Sequence, residues 1–225
     1  MFNFDNLYKG TLIKRYKRFF ADIEFNGETI TTHNPNTGSM KGLLNEGNPV
    51  VFTKSDNPKR KLKYTLEGIY SCNYWIYVNT INLNKIVEQA FYDKEIKEFE
   101  NFSVLKREFK YKDSRIDFYI EKNNSKFLIE VKNVTLANGN YALFPDAVTV
   151  RGKKHLLALA NSIDEGYIPY MLYIIAVDRK KFRPAAEIDN EYAETFKRAV
   201  SKGVKILTYK NILDVNKKCC FLKKI

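Results

Sequence analysis

The stretch Ser114-Arg115-Ile116-Asp117-Phe118-Tyr119-Ile120-Glu121-Lys122-Asn123-Asn124-Ser125-Lys126-Phe127-Leu128-Ile129-Glu130-Val131-Lys132 decides how this chain reads. Its centre, Asn123-Asn124, joins two residues that tolerate the positive φ of a two-residue hairpin turn. With those two as the loop, Lys122 stands opposite Ser125, Ile120 opposite Phe127, Phe118 opposite Ile129 and Ile116 opposite Val131, so one face is apolar throughout. The same register sets Asp117 opposite Glu130, with Cβ atoms about 5 Å apart, and Arg115 opposite Lys132. Like charges facing each other across a strand pair destabilise it, which points to a cation between the two acids. Mg²⁺ or Mn²⁺ is the candidate, because such ions take one or two carboxylates and complete their shell with water and phosphate oxygens. The Lys132 ammonium is then placed to orient a water or steady developing charge. The alternative reading is an ordinary wet hairpin face, on which Arg115, Lys126 and Lys132 offset the acids. A one-residue bulge would also part Asp117 from Glu130.

Upstream, Ile86, Val87, Ala90 and Phe91 share one face of a helix behind a cap at Asn82 or Asn84. Glu88 lies off the centre of that face, toward a cleft or toward water. An Asp, then Glu-x-Lys on the next strand, behind a helix carrying a further acid, resembles the arrangement of PD-(D/E)XK nucleases, with Asp117, Glu130, Lys132 and Glu88 as the catalytic set. Strand-like segments at Ser103 to Lys110, Arg115 to Glu121 and Lys126 to Val131 precede a helix from Val150 to about Ile163. Phe144 to Ala147 reads as the loop entering that helix, with Asp146 as a candidate cap or supporting acid. The unbroken apolar run Tyr170 to Val177 suits a strand buried on both faces. A helix from Glu191 to Lys202, stopped by Gly203, leads to a strand from Val204 to Tyr209. The order predicts a mixed sheet flanked by helices over residues 83–225.

Residues 1–82 read as all-β, because alternating apolar stretches are punctuated by Asn26-Gly27, Asn34-Pro35-Asn36, Gly47-Asn48-Pro49 and Asn57-Pro58. Read as one strand, Lys14 to Glu24 lines up Phe19, Ala21, Ile23 and Phe25 on one side and Lys14, Tyr16, Arg18 and Phe20 on the other. Cations that track phosphates beside rings that stack on bases suggest an OB-fold nucleic-acid surface. Lys59, Arg60, Lys61 and Lys63, beside Tyr64, repeat the chemistry. The equally open reading is a soluble Lys-rich surface with Tyr16 or Phe20 in the core.

The whole chain of 225 residues carries 38 Lys and Arg against 26 Asp and Glu, a net +12, so a polyanion is the expected partner. With no evident recognition helix, sequence-independent contact to a nucleic-acid backbone is the natural form of that binding. Arg151 and Lys154, at the start of a helix, could hold phosphate or form an exposed basic turn. With only Cys72, Cys219 and Cys220, a disulfide scaffold or a Cys-rich zinc site is excluded. The N-terminal residues have no apolar signal core, and the longest apolar run is far short of the roughly 20 residues that span a bilayer. A cytoplasmic protein with no membrane partner is expected. Two histidines, His33 and His155, give little material for a Ser-His-Asp triad or a His-rich zinc site.

Leu12-Ile13-Lys14-Arg15-Tyr16-Lys17-Arg18-Phe19, Pro35-Asn36-Thr37-Gly38-Ser39-Met40, Arg60-Lys61-Leu62-Lys63-Tyr64, Ser114-Arg115-Ile116-Asp117, Glu130-Val131-Lys132-Asn133-Val134-Thr135-Leu136, Phe144-Pro145-Asp146-Ala147-Val148-Thr149, Arg151-Gly152 and Lys154-His155-Leu156 resemble the bacterial and archaeal sugar fermentation stimulation protein family. The resemblance spans nearly the whole chain. It implies an N-terminal OB-fold barrel, a PD-(D/E)XK nuclease-like second domain, and non-specific DNA binding linked to regulation of sugar, notably maltose, metabolism. It also places the metal-centred site at Asp117, Glu130 and Lys132. A DNA-binding regulator, an active Mg²⁺-dependent phosphodiesterase and an RNA-processing protein are the functions this leaves open.

Overall fold

The computed structural model describes residues 1–225. Six strands build the first half: β2 (Tyr8–Tyr16), β3 (Phe20–Phe25), β4 (Glu28–His33), β5 (Pro49–Lys54), β6 (Tyr64–Ser71) and β7 (Tyr74–Tyr77). They lie in the order β4-β3-β2-β5-β6-β7, and a parallel pairing of Thr32 and His33 with Tyr64 and Thr65 joins β4 to β6. That pairing closes β2 to β6 into the five-stranded OB barrel, which removes the exposed edges an open sheet would carry. Leu12, Ala21, Ile23, Val50, Phe52, Leu66 and Ile69 fill its interior.

Lys14 to Glu24 is not one strand. Lys17 and Arg18 take positive φ (46° and 62°) and turn the chain into a β2–β3 hairpin. Tyr16 and Phe20 therefore face each other across the hairpin and stack with centroids 5.4 Å apart. Strand β1 (Phe2–Asn3) also departs from expectation: it leaves the barrel and pairs with β16 (Cys219–Lys224) in the second sheet.

The second half contains α1 (Thr80–Tyr92), β8 (Val104–Tyr111), β9 (Ser114–Lys122), β10 (Ser125–Val134), α2 (Val150–Ser162), β13 (Tyr167–Ile175), α3 (Asn190–Lys202) and β15 (Lys205–Asp214). Helix α1 starts earlier than its apolar spacing suggests, because Asn79 is the cap and its side chain accepts from the N–H groups of Ile81 and Asn82. The mixed sheet runs β1-β16-β15-β13-β10-β9-β8, with β13 parallel to β10 and β15. Helix α1 buries Leu83, Ile86, Val87, Ala90 and Phe91 in the cluster that holds Phe118, Ile120, Ile129, Leu172 and Ile174. Helix α2, capped by Thr149, buries Leu156, Leu159 and Ala160 with Tyr119, Leu128, Met171 and Tyr173. A small third sheet, unforeseen in the sequence, is made by β11 (Leu136–Asn138), β12 (Tyr141–Phe144) and β14 (Lys181–Pro184).

The barrel is packed tightly onto this layer. A Cβ added at Gly68 in β6 would lie 2.4 Å from Cδ2 of Leu213 in β15, so only glycine allows that approach. No helix is long and apolar enough to cross a membrane.

Candidate nucleic-acid and metal site

The β9–β10 hairpin turns at Asn123 and Asn124, both at positive φ (50° and 59°), and its register runs from Lys122 opposite Ser125 to Phe118 opposite Ile129. The ladder stops there, one pair short of Asp117 and Glu130. Asp117 has no ladder partner on its other side either, since β8 and β9 pair Arg107 with Phe118 and Phe109 with Ile116. Its carboxylate takes over the bonding: Oδ2 accepts from the Val131 backbone N–H at 2.8 Å, and Oδ1 accepts from Asn84 Nδ2 on α1 at 2.8 Å.

Glu130 is 1% exposed. Its Oε1 receives both Lys132 Nζ and His155 Nδ1, while its buried Oε2 has no hydrogen-bond partner. Arg151 Nε donates to His155 Nε2 at 3.4 Å, which leaves the ring proton on Nδ1, facing Glu130. Burial, reinforced by the nearby Glu130 charge, pushes the Asp117 carboxyl up to about 6. Burial acts on Glu130 in the same direction, but Lys132 and His155 outweigh it and hold that carboxyl below its ordinary range. The acids thus differ: Glu130 is held in its charged form by the Lys132 ammonium and the Nδ1–H of His155, whereas Lys132 offsets the burial of Asp117 only in part.

These groups lie in a cleft of about 910 Å³ between the barrel and the mixed sheet. The barrel loop Asn34 to Met40 roofs it. Arg15 holds that loop through Nη2 to the carbonyls of Asn36 (2.9 Å) and Gly38 (3.0 Å) and Nη1 to that of Ser39 (3.3 Å). The second half holds it as well, because Asp146 accepts from Met40 N at 3.1 Å and Thr80 Oγ1 donates to the Pro35 carbonyl at 2.9 Å. Asp146 is therefore a tie to the roof rather than a helix cap. Gly38 sits so close to it that an added Cβ would lie 2.5 Å from both carboxylate oxygens.

Against this geometry, the chain matches two family models: the sugar fermentation stimulation protein RE domain over residues 82–217 and the SfsA N-terminal OB domain over residues 13–78. The chain belongs to the sugar fermentation stimulation protein family. A sugar fermentation stimulation protein homolog of Pelagibacter ubique is 48% identical over 206 residues, 90% of this chain and 89% of that one. Its counterpart in Syntrophotalea carbinolica is 44% identical over 207 residues, covering 91% and 89%. A solved structure of Pyrococcus furiosus SfsA in complex with Ca²⁺ shares the fold at a TM-score of 0.91 and 24% identity, covering 100% of this chain and 97% of that one.

Within this family fold, Asp117, Glu130, Lys132, Arg15, Arg18 and Arg151 line the cleft. Glu88 does not: it pairs with Arg107 at 3.1 Å, and the α1 side chain that meets Asp117 is Asn84, one helical turn earlier. Lys14 lies outside the cleft, 3.9 Å from Asp22 with its ammonium 5.7 Å from the Tyr16 ring centre, and Tyr16 donates to Asp22 at 3.2 Å. Arg15 spends its donors on loop carbonyls, including that of Arg18 at 3.1 Å, and acts as a latch. Lys59, Arg60, Lys61 and Lys63 stand on the β5–β6 connection away from the cleft, Arg60 donating to Thr65 Oγ1 at 3.0 Å. Arg115 pairs with Glu108 at 3.8 Å and Lys154 with Asp113 at 2.9 Å, also outside it. His33 ends β4, beside Thr65. Two features of the site do not show in the sequence: Asn84 as a partner of Asp117, and the contact of His155 with Glu130. The one signal for the second is that His155 shares the inward stripe of α2 with Leu159 and Ser162.

Proposed function

We propose that this protein binds DNA through its sugar-phosphate backbone, without strong base readout, and hydrolyses it at the cleft with Asp117 and Glu130 holding Mg²⁺ or Mn²⁺. The observation that carries the reading is the buried, unpartnered Oε2 of Glu130 beside an Asp117 carboxyl driven up by burial and by that same neighbour. An acid pair in this state is completed by a cation. No group of three or more His, Cys, Asp and Glu suited to a metal converges anywhere in the chain. Two carboxylates with the remaining positions left to water and phosphate oxygens suit Mg²⁺, which rarely occupies all-protein cages. Pyrococcus furiosus SfsA, which shares this fold, was solved in complex with Ca²⁺, and that supports a divalent ion here.

When bound, the ion supplies Lewis acidity and an acidified water. The protein's own groups do the rest. Asn84 and the Val131 N–H hold Asp117 in one orientation, and His155 holds Glu130 so that Oε2 stays free. Lys132, its side chain 15% exposed, places an ammonium where charge builds on a phosphoryl oxygen. Arg18 and Arg151 on the cleft lining meet neighbouring phosphates.

A second reading is a regulator that binds DNA in this cleft without cutting it, and the relatives' name, sugar fermentation stimulation protein, supports its link to sugar metabolism. Incubating wild type and Lys132→Ala with labelled single-stranded DNA, duplex DNA and RNA, in Mg²⁺, Mn²⁺ or EDTA, separates the two. Metal-dependent cleavage that disappears in the variant establishes the enzyme. Salt-sensitive binding with no cleavage in either metal rejects hydrolysis and leaves the regulator.

A further inference from the structure

The cleft lining is polar with few exceptions, and two of those exceptions are out of place. Ile81, in the first turn of α1, is 61% exposed, and Val148, in the loop that leads into α2, is 68% exposed. Neither serves the core: α1 buries Leu83, Ile86 and Val87, and α2 buries Leu156 and Leu159. A single exposed aliphatic residue on a surface is ordinary. Two of them on the lining of one cleft, above buried acids and among Arg18, Arg107 and Arg151, make an amphipathic lip: cationic where phosphates run and apolar beside them.

The acids are also recessed beneath a roof that is held in place. Glu130 is 1% exposed, and it shares the cleft with the roof-loop residues Asn36 to Ser39. The roof loop cannot swing aside cheaply. Arg15 ties it to the barrel, Met40 N–H to Asp146, and the Pro35 carbonyl to Thr80 on α1. A phosphate reaches acids recessed beneath a pinned roof more readily on a single flexible strand than on a stiff duplex. The bases of such a strand, no longer stacked in a duplex, expose apolar faces that need covering.

Resting on the nucleic-acid reading above, we infer that the cleft takes an unpaired strand and that Ile81 and Val148 are the residues that contact its bases. They select single-stranded or frayed substrate over blunt duplex. The Ile81 and Val148 side chains carry no hydrogen-bonding groups, so the selection is for strandedness rather than for sequence.

The test is fluorescence anisotropy with an end-labelled oligonucleotide presented as a single strand, as a blunt duplex and as a duplex with an unpaired tail, in Ca²⁺ and in EDTA. Wild type is compared with the double variant Ile81→Ser, Val148→Ser, whose circular dichroism and melting temperature are recorded alongside. The single strand and the tailed duplex are expected to bind at least about tenfold more tightly than the blunt duplex. The double variant should lose most of that difference while its blunt-duplex affinity stays unchanged. Equal or tighter binding of the blunt duplex, or an undiminished preference in a normally folded variant, overturns the inference and leaves nucleic-acid binding standing. Failure of all three probes to bind removes both.

Discussion

Replacing Asp117 by Asn should make the metal-free protein more stable at neutral pH, the reverse of what loss of a twice hydrogen-bonded side chain normally does. The folded protein pushes this carboxyl from 3.8 up to about 6, through burial first and the Glu130 charge second. A raised carboxyl means that the fold prefers its protonated form. Its contribution is therefore whole below the unfolded pKa and is lost as pH rises through about 6. A shift of about two units corresponds to at most about 3 kcal/mol against the fold at pH 8, at about 1.4 kcal/mol per unit. Asn cannot ionise. It keeps an oxygen for the Val131 N–H, and Asn84 can turn its amide to accept from the new NH₂, so both bonds survive. Urea unfolding at a series of pH values in EDTA should show Asp117→Asn ahead of wild type by about 1–3 kcal/mol near pH 8, an advantage that vanishes toward pH 4. Adding Mg²⁺ or Ca²⁺ should then stabilise wild type, by about 2.7 kcal/mol at a hundredfold excess over Kd, and leave the variant nearly unmoved. A variant less stable than wild type at pH 8 in EDTA, or an equal response of both proteins to the ion, refutes the reasoning.

The same sign holds at Glu67, which is fully buried and pushed up to about 7 by burial despite donors from Thr53, Tyr77 and Asn79. Its contribution is lost as pH rises through about 7, and Glu67→Gln should flatten the stability profile of the metal-free protein in that window, measured by melting temperature against pH. Gly38→Ala puts a methyl carbon within 2.5 Å of the Asp146 carboxylate and should cost about 1–3 kcal/mol in urea unfolding, with weaker nucleic-acid binding as the roof shifts. Arg18→Ala should lower the salt slope of nucleic-acid binding by about one, whereas Lys14→Ala, already beside Asp22 and outside the cleft, should leave it unchanged. Equal slopes for the two variants would count against the cleft as the binding surface.

What the amino-acid order determines alone is local. Two adjacent Asn fix the β9–β10 turn, and alternation of apolar residues carries the register as far as Phe118 and Ile129, because both signals lie within the hairpin. The stripe of α1 that faces the site is legible too, but not the turn of it. Asn84 and Glu88 are four residues apart on one side of the helix, and only the packing angle decides that Asn84 meets Asp117 while Glu88 meets Arg107. The turn at Lys17 and Arg18 leaves no mark in the sequence because neither residue type signals positive φ; the barrel pairing and the Asn34 amide bonded to the Arg18 carbonyl at 2.8 Å hold it there. Above all, tertiary structure ends the strand ladder short of Asp117 and hands its carboxylate a backbone N–H, brings His155 from α2 to Glu130, and makes Arg15 a latch on the roof loop. Those outcomes depend on groups 14 to 25 residues apart meeting at the largely buried floor and roof of one cleft, where burial shifts the charge of each acid, and no local pattern of residues encodes that burial.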